Sequence, residues 1–225
     1  MRVFRAPPVG LPPVADPNWQ IGAVADFTLD GKPDILWRNG STGQNVIWQM
    51  NGPAVVGQIP LPPVADLNWV IRGSGDFDAD GKPDVLWRNA STGQNTVWIM
   101  NGTGVVSGMA LPTIPNFNWT IGGVGDIDGD GKPDIVWRNT ATGENTIWIM
   151  NGLAIASQVP LPTIFDLNWN IRSVADFSGD GTPDLCWRND ATGENTIWTM
   201  SGTALSSQIP LPAVTDLTWK LAGPR

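Results

Sequence analysis

The sequence predicts an all-β fold built from repeated four-stranded sheets, and three observations support that prediction. The 225-residue chain repeats itself every 50 residues without an insertion or deletion. Each repeat holds four short segments rich in apolar and β-branched residues, separated by turns that contain glycine or proline. No stretch of ten residues shows the 3.6-residue periodicity of a helix. A period of this length is typical of propeller blades.

The tryptophans define the period most clearly. All 13 of them fall into three phases of the repeat, so they belong to the repeating unit. In one phase the tryptophan begins a Trp-Arg-Asn motif. In a second it lies two residues before a methionine that recurs with the same period, and in the third it follows a Leu-Pro segment. The three sets are Trp37, Trp87, Trp137 and Trp187; Trp48, Trp98, Trp148 and Trp198; and Trp19, Trp69, Trp119, Trp169 and Trp219.

Within the unit 116–165 we predict four strands in order. The first contains Gly122, Gly123 and Gly125, which permit a neighbouring backbone to approach closely. The second carries Trp-Arg-Asn, the third is apolar on both faces, and the fourth follows an Asn-Gly pair, a strong signal for a two-residue hairpin. Thr-Gly marks the other hairpin. The predicted bounds are 119–126, 134–139, 145–150 and 153–159.

Four strands in every 50 residues predict a β-propeller. A single four-stranded sheet cannot bury both of its faces, so it must stack on neighbouring sheets. Tryptophan is the side chain that fills the wedge between two such sheets. We expect a single repeat domain, 1–225, with units of about 16–65, 66–115, 116–165 and 166–215. The partial units 1–15 and 216–225 form a split half-repeat. Closure stays open between a small ring of four blades with overlapping ends and a homo-oligomer in which a second copy completes a larger ring.

Composition excludes several functions. The net charge of −8 and the isoelectric point near 4.3 provide no basic surface for nucleic acid or for an anionic membrane. No apolar run approaches the ~20 residues that span a bilayer, so we expect no membrane insertion. Histidine is absent, which removes the commonest general base. We therefore expect no enzyme, and we interpret the single cysteine, Cys186, as a small core residue.

Between the first and second strands of each unit lies an acidic loop with the pattern D-x-[DST]-x-D-G-x-P-D. These four loops contain 14 of the 21 acidic residues, a self-repulsive density without a cation. Ca²⁺ takes 6–8 oxygen ligands, and such loops supply them from alternate positions. We predict calcium bound by side chains at the first, third, fifth and ninth positions and the carbonyl at the seventh. The ligands are Asp26, Thr28, Asp30, Lys32 and Asp34; Asp76, Asp78, Asp80, Lys82 and Asp84; Asp126, Asp128, Asp130, Lys132 and Asp134; and Asp176, Ser178, Asp180, Thr182 and Asp184.

The four loops are not equivalent. Thr28 and Ser178 replace the third-position carboxylate of Asp78 and Asp128 with a neutral hydroxyl, so we expect weaker binding in the first and fourth loops. The loops are not EF-hands, because the twelfth position, where a bidentate Glu belongs, is Trp in every copy.

These repeats resemble the FG-GAP/VCBS family, whose units carry a D-x-D-x-D-G-x-x-D loop between the first two strands of a propeller blade. The resemblance covers essentially the whole chain, although the Phe-Gly and Gly-Ala-Pro elements that name the family are not evident. It implies one structural calcium ion per loop, an extracellular or cell-surface setting, and a recognition role. Family propellers commonly have seven blades, whereas this chain holds about four and a half repeats.

Three functions can be considered for a chain with this sequence. The first function, and the one we expect, is carbohydrate recognition by an aromatic ring that lies beside guanidinium and amide groups. In the competing interpretation, the same residues have structural roles between the blades. The second is a protein-interaction or structural scaffold with calcium as its only ligand. The third, a carboxylate-pair glycosidase, is disfavoured because its acids also repeat. The candidate sugar-binding residues are Trp37, Arg38 and Asn39; Trp87, Arg88 and Asn89; Trp137, Arg138 and Asn139; and Trp187, Arg188 and Asn189.

Overall fold

A computed structural model describes residues 10–219, and all regular structure in that range is β-strand. No helix long and apolar enough to cross a membrane occurs there. The sixteen strands are β1 Trp19–Ala25, β2 Asp34–Asn39, β3 Asn45–Asn51, β4 Ala54–Leu61, β5 Trp69–Gly75, β6 Asp84–Asn89, β7 Asn95–Asn101, β8 Gly104–Leu111, β9 Trp119–Gly125, β10 Asp134–Asn139, β11 Asn145–Asn151, β12 Ala154–Leu161, β13 Trp169–Ala175, β14 Asp184–Asn189, β15 Asn195–Ser201 and β16 Ala204–Leu211.

Each repeat forms one antiparallel four-stranded sheet whose strands pair in sequence order. We call these sheets blades 1 to 4: β1–β4, β5–β8, β9–β12 and β13–β16. The first strand of each blade packs against the first strand of the next, from β1 through β5 and β9 to β13. The molecule is a four-bladed β-propeller, which confirms the predicted fold class. The predicted half-repeat lies partly in residues 1–9 and 220–225, outside the described residues.

Three apolar clusters hold the blades together, one at each interface between consecutive blades. At the interface of blades 2 and 3, Trp137 is fully buried and packs with Trp148, Phe77 and Leu86. Trp87 and Trp187 occupy the same place at the other two interfaces. The sequence-based interpretation that these tryptophans fill the wedge between blades is confirmed. Within residues 10–219 no such cluster joins blade 4 to blade 1.

The innermost strands approach each other closely where glycine was expected to allow it. A Cβ on Gly122 would lie 2.7 Å from Cβ of Ile171 in the next blade. On Gly123 it would lie 2.4 Å from Cγ2 of Val174. Both distances are shorter than side-chain atoms tolerate, so any larger residue at these positions would push blades 3 and 4 apart.

The hairpin between the third and fourth strands differs by one residue from the prediction. Asn151 pairs with Ala154, so the central turn residues are Gly152 and Leu153 and not Asn151 and Gly152. Gly152 has a φ of 62°, and Leu153 is not among the residues with positive φ. This is the pattern of a type II′ turn, which places glycine first. The Asn-Gly pair indicated the hairpin but not its register.

Candidate functional site

The acidic loops lie between the first and second strands of every blade, as predicted. The chain turns sharply at the sixth position, where Gly31, Gly81, Gly131 and Gly181 have φ between 82° and 90°. The fourth position is left-handed too, and there the first two loops place a non-glycine residue, Leu29 or Ala79. Two left-handed residues so close together curl the loop, which brings its side chains toward one point.

The first-position aspartates hold the curled loop from inside. Asp76 accepts the Asp80 N–H on Oδ1 at 3.0 Å and the Gly81 N–H on Oδ2 at 2.8 Å. Asp26 makes the equivalent two bonds, and Asp126 and Asp176 bond the glycine at the sixth position with the same oxygen. For Asp176 the Gly181 N–H is the main cause of a pKa below the ordinary value. The first-position carboxylates are therefore held inside the loop by its own backbone N–H groups.

The ninth-position aspartates are fully buried and connect the loop to the blade. Oδ1 of Asp134 accepts the Met150 N–H from β11 at 2.9 Å, and Oδ2 accepts the Ile127 N–H at 3.0 Å and the Asp128 N–H at 3.3 Å. Burial raises the pKa of Asp84 and Asp134 to about 6, despite backbone N–H bonds that lower it. A cation beside these carboxylates would favour their ionised form.

The fifth-position aspartates are paired with the lysine at the seventh position. Asp80 Oδ2 lies 2.7 Å from Nζ of Lys82, and Asp130 Oδ2 lies 2.9 Å from Nζ of Lys132. The lysine hydrogen bond is the main cause of the lowered pKa of each aspartate. The fourth loop has Thr182 at this position and so lacks an ammonium group. Exposed ion pairs of this kind contribute little stability, so a divalent ion competes with them easily.

The second and third loops each bring three carboxylates together. Oxygens of Asp76, Asp78 and Asp84 lie within 4.8 Å of one another, and so do oxygens of Asp126, Asp128 and Asp130. No such group of three forms in the first or fourth loop among the described residues. The structure thus assembles part of the predicted ligand set, and it does so in the two loops with a third-position aspartate.

These residues fit a hard cation. The converging groups are carboxylate oxygens, the ligands that Ca²⁺ prefers over nitrogen or sulfur donors. In the first loop, Thr28 Oγ1 is buried and has no hydrogen-bond partner among the described residues, as expected of a hydroxyl that replaces a carboxylate ligand. Calcium, when bound, would be held by the loop aspartates and would neutralise their mutual repulsion.

The Trp-Arg-Asn motif lies inside the blades. The Arg138 guanidinium donates to the carbonyls of Gly143, Ile164 and Asp166 at 3.2–3.3 Å and to Oδ1 of Asn145 at 3.1 Å. It also lies 5.2 Å from the ring centroid of Trp187 in the next blade. Arg38 and Arg88 stack on Trp87 and Trp137 in the same way.

The asparagines of the motif are also bound to the protein. Oδ1 of Asn139 accepts the N–H groups of Ala141 and Thr142, and Asn89 and Asn189 make the equivalent bonds. The structural interpretation of these residues therefore explains their contacts. That they bind sugar stays a prediction, which the structure does not require.

Two grooves on the outside of the blades were not found from the sequence. One, of about 260 Å³, is lined by Trp69 with Gln94, Thr96 and Thr113. The other, of about 390 Å³, is lined by Trp169 with Glu194, Thr196 and Gln208. Both tryptophans are half-buried, in contrast to the buried Trp87, Trp137 and Trp187 of the Trp-Arg-Asn motif. The available signal was the run of three polar residues at the start of the third strand, Gln94 to Thr96 in blade 2 and Glu194 to Thr196 in blade 4.

Four blades with an acidic loop in each place the chain in the class of β-propeller repeat proteins. The family model for the FG-GAP-like repeat matches residues 76–137 and 126–187, which overlap and together span the second to fourth acidic loops. The chain belongs to the FG-GAP-type β-propeller repeat family, as the resemblance implied.

Other comparisons add little. No curated protein matches the chain significantly. Among solved structures it is similar to the Tc holotoxin pore of Photorhabdus luminescens, at 18% identity and a TM-score of 0.49 over 93% of this chain and 10% of that one. It is also similar to a protein of Bacteroides uniformis provisionally assigned as a 6-phosphogluconolactonase, at 14% identity and a TM-score of 0.48 over 87% of this chain and 56% of that one. The chain spans less than two thirds of either neighbour.

Proposed function

We propose that this chain is a non-catalytic recognition module whose loops bind calcium as a structural ion. The observation that supports this most directly is the convergence of Asp76, Asp78 and Asp84 in the second loop, and of three acids in the third loop: Asp126, Asp128 and Asp130. Millimolar calcium is available outside cells, so an extracellular or cell-surface setting suits loops of this kind, whose affinities are of order 10⁻⁴ to 10⁻³ M in extracellular modules.

The loops differ in a way that predicts two affinity classes. The second and third loops offer four carboxylates each, whereas the first and fourth offer three carboxylates and a hydroxyl. Each carboxylate adds a full negative charge near the ion, and affinity in calcium loops rises with the number of charged ligands. The second and third loops are therefore the tighter pair.

Paired variants test this assignment. Asp78→Asn with Asp128→Asn removes one carboxylate from each of the tighter loops. At about 0.1 mM free calcium, two loops with a Kd near 10⁻⁴ M retain about one ion on average, and we expect this mean number to fall toward zero in the double variant. The control, Thr28→Val with Ser178→Ala, removes the hydroxyls of the other two loops and should leave that number unchanged. Native mass spectrometry counts the ions directly. Equal ion counts for both double variants and the unaltered protein would exclude these loops as the tighter sites.

We further propose carbohydrate as the ligand of the module, bound in the grooves beside Trp69 and Trp169. An indole ring next to amide and hydroxyl groups matches the two faces of a sugar, which presents C–H groups to an aromatic ring and hydroxyls to hydrogen-bonding side chains. The groove occurs at the same phase in blades 2 and 4, so two equivalent sites would bind a multivalent glycan with avidity.

A glycan array with a matched variant tests this second proposal. We expect reproducible binding that is lost in Trp69→Ala with Trp169→Ala. It should persist in Phe165→Ala, which removes an aromatic ring that is 84% exposed and lies outside both grooves. A blank array, or hits that survive the double variant, would contradict sugar binding in the grooves. A blank array would also favour the protein-scaffold alternative, in which calcium is the only small ligand.

A further inference from the structure

A cluster of arginines lines a cavity near the centre of the propeller, although the protein as a whole is strongly acidic. The cavity has a volume of about 130 Å³ and lies among the innermost strands of blades 2, 3 and 4. We call it the axial cavity and define it by Arg72, Thr120, Arg138, Asn170 and Arg172. At about 30 Å³ per water molecule, it has room for roughly four waters, or for one small polyatomic ion.

Arg72 lines this cavity without a counter-charge. Its Nε atom is buried and has no hydrogen-bond partner among the described residues. Burial lowers the pKa of its guanidinium, and the positive charges of Arg88 and Arg172 lower the pKa further. Arginine stays protonated in proteins, so the charge of Arg72 cannot be removed by losing a proton. A buried charge without a partner is costly, which makes this arginine a ready donor for an anion.

A comparison with blade 4 shows what Arg72 lacks. Arg172 occupies the same phase of the repeat and is paired with Asp190, whose Oδ2 also accepts Nδ2 of Asn170 at 2.9 Å. In blade 2 the residues equivalent to Asp190 and Asn170 are Ala90 and Val70. The arginine is thus present twice, but its carboxylate partner is present once.

A second unpartnered donor lines the same cavity. Nε of Arg138 is buried and makes no hydrogen bond within residues 10–219, because the four hydrogen bonds of that guanidinium involve its other two nitrogens. Two guanidinium N–H groups from neighbouring blades therefore remain available. Guanidinium groups hydrogen-bond carboxylate and phosphate oxygens with favourable geometry.

We propose that the axial cavity binds a small oxyanion, held by Arg72 and Arg138. The ligand class comprises sulfate, phosphate and a carboxylate group, which share two or more oxygens and a delocalised negative charge. The anion gives Arg72 the negatively charged partner that Asp190 gives Arg172 in blade 4. It connects blade 2 to blade 3 at the axis, where no side chain of the described chain neutralises Arg72.

Sulfate is the probe, and thermal unfolding in the presence of chelator is the readout. At constant ionic strength, sulfate replacing chloride should raise the melting temperature of the unaltered protein in a saturable manner. At ten times its Kd the expected rise is about 3–6 °C. Phosphate should act in the same way, and acetate should do so at higher concentration because its charge is lower.

Two variants and one control make the test specific. Arg72→Gln removes the donor, and Ala90→Asp supplies the missing carboxylate from within the chain. Both should abolish the saturable response, and Ala90→Asp should do so in a protein at least as stable as the original without sulfate. Ser206→Asp lowers the net charge by one, as both variants do, at an exposed position of β16 outside the cavity, and should respond like the unaltered protein. A response that is absent from the unaltered protein, or that survives in Ala90→Asp, would overturn the proposal.

Discussion

Replacing Trp137 with alanine is expected to lower the free energy of unfolding by about 3–5 kcal/mol, the usual cost of deleting a buried aromatic side chain. The Trp137 ring is fully buried, lies 4.7 Å from Trp148 between ring centroids, and is covered by the Arg88 guanidinium at 5.1 Å. Removing it leaves a cavity at the interface of blades 2 and 3, because its neighbours in that cluster are already packed in place. Chemical denaturation followed by circular dichroism measures the loss.

Trp37 is the matched control. It occupies the same phase in blade 1 and packs on Trp48 at 4.9 Å, but it is only half-buried and lines a cavity of about 150 Å³. In the described part of the chain no arginine stacks on it, since the three such contacts are to the rings of Trp87, Trp137 and Trp187. Trp37→Ala should therefore cost less than half as much as Trp137→Ala. Equal losses would mean that the tryptophan stabilises each blade from within and not the interface.

Asp134→Asn is expected to lower the free energy of unfolding by about 1–2 kcal/mol at pH 7.5, even when calcium is absent. Asparagine has the shape of aspartate but offers one acceptor oxygen, so an amide N–H would face a backbone N–H that Asp134 now accepts. Leaving that buried N–H without an acceptor costs about 1–3 kcal/mol, and part of this cost is offset because the neutral amide avoids the desolvation that raises the pKa of Asp134. The pH is chosen because it lies above the pKa of about 6, so the carboxylate is ionised in the original protein.

Asp130→Asn distinguishes the contribution of the loop aspartates to folding from their contribution to calcium binding. The Asp130 side chain is exposed. Its Oδ1 accepts the backbone N–H of Lys132 and its Oδ2 accepts a hydrogen bond from Nζ of Lys132, so both bonds stay within the loop. In chelator this change should barely alter stability, whereas in calcium it should remove the stabilisation that its loop gains from the ion. If Asp134→Asn were neutral in chelator, the ninth-position aspartate would act through the metal alone.

The strands were predictable because they follow from local pattern. The predicted segment 134–139 matches β10, and the other three of that unit agree within two residues with the observed bounds. Alternating apolar residues, turn glycines and a fixed period determine where each strand lies. The register of the hairpin at Gly152 was not predictable, because Asn-Gly is compatible with two positions of the turn.

The loops were predictable as a motif but not as a geometry. The spacing identified the aspartates, yet it could not show that Asp134 is buried or that Lys132 pairs with Asp130. Those features depend on how the loop packs against β11 and on side-chain conformations beyond the motif. The difference between the four loops was visible in the sequence, because the third position is an aspartate in the second and third loops and Thr28 or Ser178 in the others.

The surface features required the packed structure. The sequence places Trp137 and Trp69 in different phases of the repeat, but only the packed structure shows that Trp137 is buried and that Trp69 lines a groove. The difference between Arg72 and Arg172 is present in the sequence as Ala90 and Asp190, but its consequence appears only when the innermost strands of three blades meet at one cavity.

Calorimetric titration of the chelator-stripped protein with calcium tests the central proposal most directly. We predict about four ions per chain in two affinity classes, with the second and third loops forming the tighter class. At a Kd of about 10⁻⁴ M, 1 mM calcium would then add roughly 1.4 kcal/mol of stability per tight site. Binding of a single ion, or of none, would contradict the account, and the acidic loops would then be turns held only by their own hydrogen bonds.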